Sequence, residues 1–213
     1  MSLGLLAVAL DFSGLPADEF NDWYDLEHLP QRRSVPGIQS AQRWLAADQS
    51  AVSVALYDLA DLAVLESDVY RGMMGDNYSP WSRRVMARCQ TRRRLEADQL
   101  VPGEQLAPEG AEALFLVWMN VPAEDDEEFN HWYNTEHLPG LAAVDGVLAA
   151  RRFKTREATP TYLSTYHLAS SEVRQTGPWQ EVADSPWSQR MRTNMSNREA
   201  LSCRAYRRVV LPV

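Results

Sequence analysis

Cysteine is scarce: Cys89 and Cys203 are the only two in 213 residues. Two thiols at unrelated places in the chain argue against a disulfide framework or a thiolate metal site, and they suit a reducing compartment. Long hydrophobic runs are missing too, so no membrane span is expected. The N-terminus, Met1-Ser2-Leu3-Gly4 and then apolar residues to Leu10 before Asp11, lacks a basic leader. It reads as a strand rather than a signal peptide, and the cytoplasm is the expected location. HExxH and CxxC are absent, so no metal is expected, and no Gly-rich phosphate loop occurs. Positive charge is in deficit, with 21 Lys and Arg against 29 Asp and Glu, a net charge of -8. Such a chain is a poor partner for nucleic acid. The runs Arg92-Arg93-Arg94 and Arg207-Arg208 read as solvated strand edges.

What the chain does hold is apolar and aromatic material. Hydrophobic residues make up 45%, including seven Trp, eight Tyr and five Phe, enough for a sizeable core and for pocket walls. It also holds a repeat. Residues 19–30 read EFNDWYDLEHLP and residues 128–139 read EFNHWYNTEHLP, nine of twelve identical at an offset of 109. The offset continues through Val35-Pro36-Gly37-Ile38 against Val144-Asp145-Gly146-Val147, then Ala41-Gln42-Arg43-Trp44 against Ala150-Arg151-Arg152-Phe153, then Tyr57 against Tyr166. Ser79-Pro80-Trp81-Ser82 matches Ser185-Pro186-Trp187-Ser188 at an offset of 106. Pro102, Gly103, Pro108 and Gly110 mark a linker at 101–111, between copies at 1–100 and 112–213.

Each copy reads as βαββαβ. In the first, a strand covers 4–12 and a helix opens at Pro16-Ala17-Asp18 and ends at Pro30. Strands at 38–46 and 51–59 form a hairpin around Asp48-Gln49-Ser50. A helical region follows at 61–90, broken near Gly72–Pro80, and then a strand at 91–100. The second copy runs strand 113–121, helix 123–139, strands 147–155 and 161–168, helices within 170–195, and strand 201–210. The expected fold is therefore α+β, two ferredoxin-like repeats. Each sheet would leave one face bare, and the two bare faces would cover each other within one chain.

The repeated Glu27-His28 and Glu136-His137 are the candidate catalytic residues. On a helical wheel at about 3.6 residues per turn, Glu27 falls within the stripe of Phe20, Trp23 and Tyr24. Glu136 falls likewise among Phe129, Trp132 and Tyr133. Partial burial and the negative helix end would both raise the carboxyl pKa, and the same helix end would favour a histidine cation. That is an acid/base constellation. A structural reading stands beside it. The Glu would bond the turn after Pro30 or pair with Arg43 (Arg152 in the second copy), and the His would cap the last carbonyls. Arg43 and Arg152 are candidates to hold a substrate anion, and Trp23, Tyr24, Tyr57, Trp132, Tyr133 and Tyr166 candidates to line a pocket. Trp81 and Trp187 read as core anchors. The copies differ at Asp22/His131 and Asp58/His167, where a lone His is ordinarily structural.

The pattern F-N-x-W-Y-x-x-E-H-L-P, a following turn at Gly37 or Gly146, and A-x-R-[WF] resemble the dimeric α/β-barrel superfamily, in particular its EthD-like members. The resemblance spans nearly the whole chain, once per copy. It implies ferredoxin-like halves packed sheet to sheet, usually from two chains, with ligands between the sheet and helices of each half. The superfamily includes isomerases, polyketide cyclases, cofactor-free monooxygenases, decarboxylases and haem-dependent enzymes, so the fold does not fix the reaction. The residues carried over are His28, His137, Glu27 and Glu136. The resulting expectation is a cofactor-independent lyase or isomerase acting on a small apolar or aromatic molecule. The alternatives are a haem-binding enzyme with one His as axial ligand, and a non-catalytic binding protein.

Overall fold

The computed structural model describes residues 2–48, 50–157 and 159–208. Eight strands close into an antiparallel barrel: β1 (Gly4–Asp11), β2 (Ile38–Ala46), β3 (Val52–Leu59), β4 (Gln90–Val101), β5 (Ala113–Asn120), β6 (Val147–Thr155), β7 (Tyr162–Leu168) and β8 (Ser196–Ala205). Their order around the barrel is β1-β3-β2-β8-β5-β7-β6-β4. Strands of the first half occupy one continuous arc and strands of the second half the other. The arcs join where Trp44, Leu45 and Ala46 pair with Ala205, Arg204 and Cys203, and where Ala97–Val101 pairs with Arg152–Thr155. The run Arg92–Arg94 lies on the stretch of β4 that pairs with β1 alone, because β6 pairs only with Ala97–Val101.

Alternation along the strands builds the layers. Leu5 and Ala7 face the barrel interior with Trp44, Leu95, Leu114, Leu116, Phe153 and Leu163. Leu6 and Leu10 face outward, onto helices that carry Phe20, Trp23 and Tyr24. In the second half Phe115, Val117 and Met119 pack on Phe129, Trp132 and Tyr133 in the same way.

The first helix of each half departs from the sequence expectation. It does not end at Pro30. Helix α1 (Ala17–Trp23) passes through one π-helical turn, Tyr24–His28, into α2 (Leu29–Arg33). The Leu29 amide donates to the carbonyl of Tyr24, five residues back. A wider turn admits one extra residue and shifts the carbonyl that a proline ring would otherwise strike, so Pro30 sits in the first turn of a continuing helix. The second half repeats this, from α5 (Asp126–Trp132) through Tyr133–His137 to α6 (Leu138–Ala142) around Pro139. After α2 and α6, Gly37 (φ 93°) and Gly146 (φ 85°) take the left-handed turn, where a Cβ would strike Val64 or Val173.

The remaining helices are short: α3 (Asp68–Arg71) and α4 (Pro80–Met86) in the first half, and α7 (Gly177–Ala183) and α8 (Pro186–Thr193) in the second. Ser79 and Ser185 cap α4 and α8 by accepting from the amides of Ser82 and Ser188. Trp81 and Trp187 are only half-buried, and it is Ser82 and Ser188 that point inward. The hairpin residue Gln49 and the expected strand end at 209–210 lie outside the described residues; β8 begins at Ser196, five residues earlier than the expected 201.

Residues 102–111 run across one mouth of the barrel and are tied to it. Asp58 and Arg151, both fully buried, form an ion pair of 2.7 Å. Asp58 also accepts from the Ala107 amide at 2.6 Å, and Arg151 donates to the Gln105 carbonyl at 3.1 Å. The equivalent positions across the repeat are His167 and Gln42, which meet at 3.1 Å, while Gln42 donates to the Pro108 carbonyl at 2.8 Å. The divergence of Asp58 from His167 is thus matched by that of Arg151 from Gln42. Burial and the Arg151 charge hold His167 well below the ordinary imidazole pKa.

Candidate functional site

The Glu-His pairs sit on the π-turns, and the two residues point to different tasks. Glu27 accepts from Ser79 Oγ at 2.6 Å and Ser82 Oγ at 2.7 Å. Glu136 accepts from Ser185 Oγ at 2.6 Å. Each glutamate therefore ties its π-turn to the start of the last helix of its half. The expected rise in the Glu27 pKa does not occur. Burial pushes it up, but hydrogen bonds from Ser79, Ser82 and Trp23 outweigh burial and hold it below the ordinary value. Nor do the glutamates pair with the strand arginines. Arg43 bonds Asp25 at 2.9 Å and Asn21 at 2.8 Å and lies over the rings of Tyr24 and Tyr206. Arg152 donates to Asn134 Oδ1 at 2.8 Å and lies among the rings of Phe129, Tyr133 and Tyr162.

The histidines face inward. His28 packs on Trp23 and Tyr24, and His137 on Trp132 and Tyr133, with ring centroids 4.5–4.9 Å apart. Neither is a cation held by the helix end. Burial, followed by Arg32 and Arg43, pushes His28 down to about 3. Burial, followed by Arg192, Arg198 and Arg152, pushes His137 down to about 3. Both imidazoles are neutral at physiological pH.

Each histidine lines a cavity between sheet and helices, and the two cavities differ. In the first half it measures about 100 Å³ and is narrowed by Tyr70, Met74 and Tyr78. In the second it measures about 220 Å³ and is walled by Phe115, Trp132, Tyr133, Tyr166 and Trp179. Each holds a buried tyrosine pair, Tyr24–Tyr57 at 2.9 Å and Tyr133–Tyr166 at 3.0 Å between hydroxyls. Burial, then the neighbouring tyrosine, raises Tyr57 and Tyr166 well above the ordinary phenol pKa, so both stay protonated.

The repeated serine distinguishes the halves further. Ser82 spends its proton on Glu27 and accepts from Trp23 Nε1 at 3.0 Å. His28 Nδ1 is left buried without a partner. Ser188 instead donates to the Val182 carbonyl at 3.1 Å and lies 3.3 Å from His137 Nδ1. If the Ser188 proton goes to that carbonyl, His137 Nδ1 carries the hydrogen between them. The lone pair then sits on Nε2, the other ring nitrogen.

The candidates from sequence divide accordingly. Trp132, Tyr133, His137 and Tyr166 come together at one cavity, and Tyr24, His28 and Tyr57 at the other. Trp23 backs His28 without lining its cavity. Arg43 lines a separate shallow pocket with Asp25, Trp44 and Tyr206, and Arg152 lies behind the tyrosines. Arg174, Trp179, Arg192, Arg198 and Ser188 were missed; for Ser188 the repeated Ser-Pro-Trp-Ser was the available signal.

No family model matches the chain, and no sequence relative was found among characterised proteins. Solved structures do resemble it in fold. An anthrone oxidase-like protein is 14% identical with a TM-score of 0.63, over 96% of this chain and 92% of that one. A candidate monooxygenase from Fusobacterium nucleatum is 9% identical with a TM-score of 0.62, over 96% and 93%. A chlorite dismutase variant from Candidatus Nitrospira defluvii is 10% identical with a TM-score of 0.63, over 95% and 92%. At such identities the likeness is one of fold alone. Among the described residues no helix is long and apolar enough to cross a membrane.

Proposed function

We propose that the chain is a single-chain pseudo-dimer of two ferredoxin-like, EthD-like modules, and that its second module is a cofactor-independent acid/base enzyme. The substrate is a small, largely apolar or aromatic carbonyl or hydroxyl compound. His137 is the base. It takes a proton from carbon beside the carbonyl, and the C–H electron pair moves onto the carbonyl oxygen as an enolate. Return of the proton to another carbon isomerises the substrate; loss of a β-substituent completes an elimination. Glu136 acts through Ser185, holding the π-turn that aims the imidazole. His28 and Glu27 keep the first module in shape.

The observation that carries this reading is the Ser188–His137 contact at 3.3 Å beside a cavity of about 220 Å³. It supplies an oriented neutral imidazole next to aromatic walls. The imidazolium formed on proton transfer is disfavoured in the free protein, and the enolate provides the charge that offsets this.

The test is deuterium exchange of the acidic C–H of 2-tetralone in D2O, followed by proton NMR. Catalysed exchange should fall roughly 10²-fold in H137Q, the usual scale of a general base. Equal rates in wild type and H137Q would refute the assignment.

The same neutral imidazole favours a second reading, haem bound through His137. The donor chemistry fits. The volume is short of the roughly 300–1,000 Å³ of ordinary ligand pockets, so the Arg192–Arg198 rim would have to open. A Soret band after hemin addition, lost in H137Q, would favour haem; absence of a bound-haem band would favour the cofactor-free reading.

A further inference from the structure

The second cavity carries a charge that nothing in the proton transfer requires. Three guanidinium groups line it, from Arg174 after β7, Arg192 on α8 and Arg198 on β8. Asp184 is the single carboxylate on its wall, and it is taken by Arg192 at 2.7 Å. Arg174 lies 3.4 Å over the Phe115 ring and donates to Ser202 Oγ at 2.8 Å. Its Nε is buried and has no partner. Among the described residues Arg198 has no carboxylate within ion-pair distance. The wall therefore holds two positive charges in excess beside five aromatic rings, and a buried guanidinium edge with nothing to donate to.

Two of these arginines, Arg174 and Arg192, are absent from the first copy. At the offset of 109, Arg174 corresponds to Leu65, which is buried in the first-half core. At the offset of 106, Arg192 corresponds to Met86, and Arg198 to Arg92, which is bound to Asp11 at 2.6 Å. The first half thus closes the same positions with apolar side chains and a satisfied ion pair. The second half places three guanidinium groups there, of which, among the described residues, only Arg192 has a carboxylate partner, and it is the half with the larger cavity.

We propose that this cavity binds a small aromatic carboxylate, with the carboxylate at Arg174 and Arg198 and the ring against the wall formed by Tyr166 and Trp179. The ligand has one or two rings, because a cavity of about 220 Å³ lies below the ~300 Å³ at which pockets for larger ligands begin. Planar forks suit a carboxylate. The inference rests on reading this cavity as the active site, and it narrows the substrate class to aromatic acids.

The test is isothermal titration calorimetry with 1-naphthoate and its uncharged isostere 1-naphthamide. Wild type should bind naphthoate at least tenfold more tightly than naphthamide, with the gap shrinking as salt rises. R198Q should lose most of that preference. So should the double variant R174L/R192M, which installs the residues the first half already folds with. Equal affinity for the two probes, no naphthoate binding, or an unchanged preference in both variants would overturn the proposal. H137Q separates this from the role of the base. If H137Q keeps the naphthoate preference and loses 2-tetralone exchange, both readings stand. If it keeps both, the anion site stands and the base falls.

Discussion

Replacing Asp58 by Ala would remove one member of the buried pair that joins the halves. Arg151 would keep its charge with no access to solvent, since both side chains are essentially fully buried. It would retain only the Gln105 carbonyl, because its Nε and Nη2 already lack partners. The Ala107 amide would also lose its acceptor. Breaking a buried pair from one side costs about 3–5 kcal/mol. Out of a total stability of roughly 5–15 kcal/mol this is a large share, and it corresponds to a fall in Tm of about 6–20 °C for a chain of this size. The repeat offers its own control. D58H/R151Q rebuilds at this position the His–Gln contact that the fold already accommodates at His167 and Gln42. Urea unfolding of D58A, R151Q, D58H and D58H/R151Q forms a double-mutant cycle. The double variant should recover most of the loss. A cost below about 1 kcal/mol in D58A, or a double variant no better than D58H or R151Q alone, would refute the claim that this pair locks the two halves.

Other outcomes follow from the same geometry. The three inward histidines have folded pKa values below that of the unfolded chain, so the unfolded state binds more protons as pH falls below 6.5, and stability must drop in that window. At pH 5 the loss is roughly 2 kcal/mol for each of His28 and His137, and H28Q/H137Q should flatten the acid limb of a urea-midpoint profile. E27A should cost about 2–4 kcal/mol and E136A about half that, because Glu27 holds two serine hydroxyls and Glu136 one; differential scanning calorimetry would show a reversed order if the clamp is misassigned. S188A should slow 2-tetralone exchange roughly tenfold while moving the melting temperature little, because it disturbs the orientation of His137; full retained exchange would contradict that.

Much of the architecture was legible because the pattern occurs twice. The nine shared residues at 19–30 and 128–139 located both first helices, and the apolar run to Leu10 located the first strand. The Pro30 stop failed because a local steric rule takes no account of a π-turn that relocates the offending carbonyl. The pairing expected for Arg43 also failed, since it reaches Asp25 and Asn21 rather than Glu27. The pKa expectations failed for another reason. The helix-end field is a local quantity, whereas the Ser79 and Ser82 hydroxyls on Glu27 come from 52 and 55 residues away. The cationic wall was illegible to a search for repeats, since Arg174 and Arg192 have Leu65 and Met86 as counterparts. The divergence at Asp58/His167, in contrast, was visible; its meaning required Arg151 and Gln42 to be seen beside them.

The central claim is that His137 is a neutral base with its proton on Nδ1 and its lone pair on Nε2. Long-range ¹⁵N NMR of the histidine rings, with the signal assigned by its loss in H137Q, tests this directly. The account predicts one Nδ1–H tautomer that does not titrate between pH 5 and 8. An Nε2–H tautomer, or a titration near the ordinary imidazole value, would contradict it.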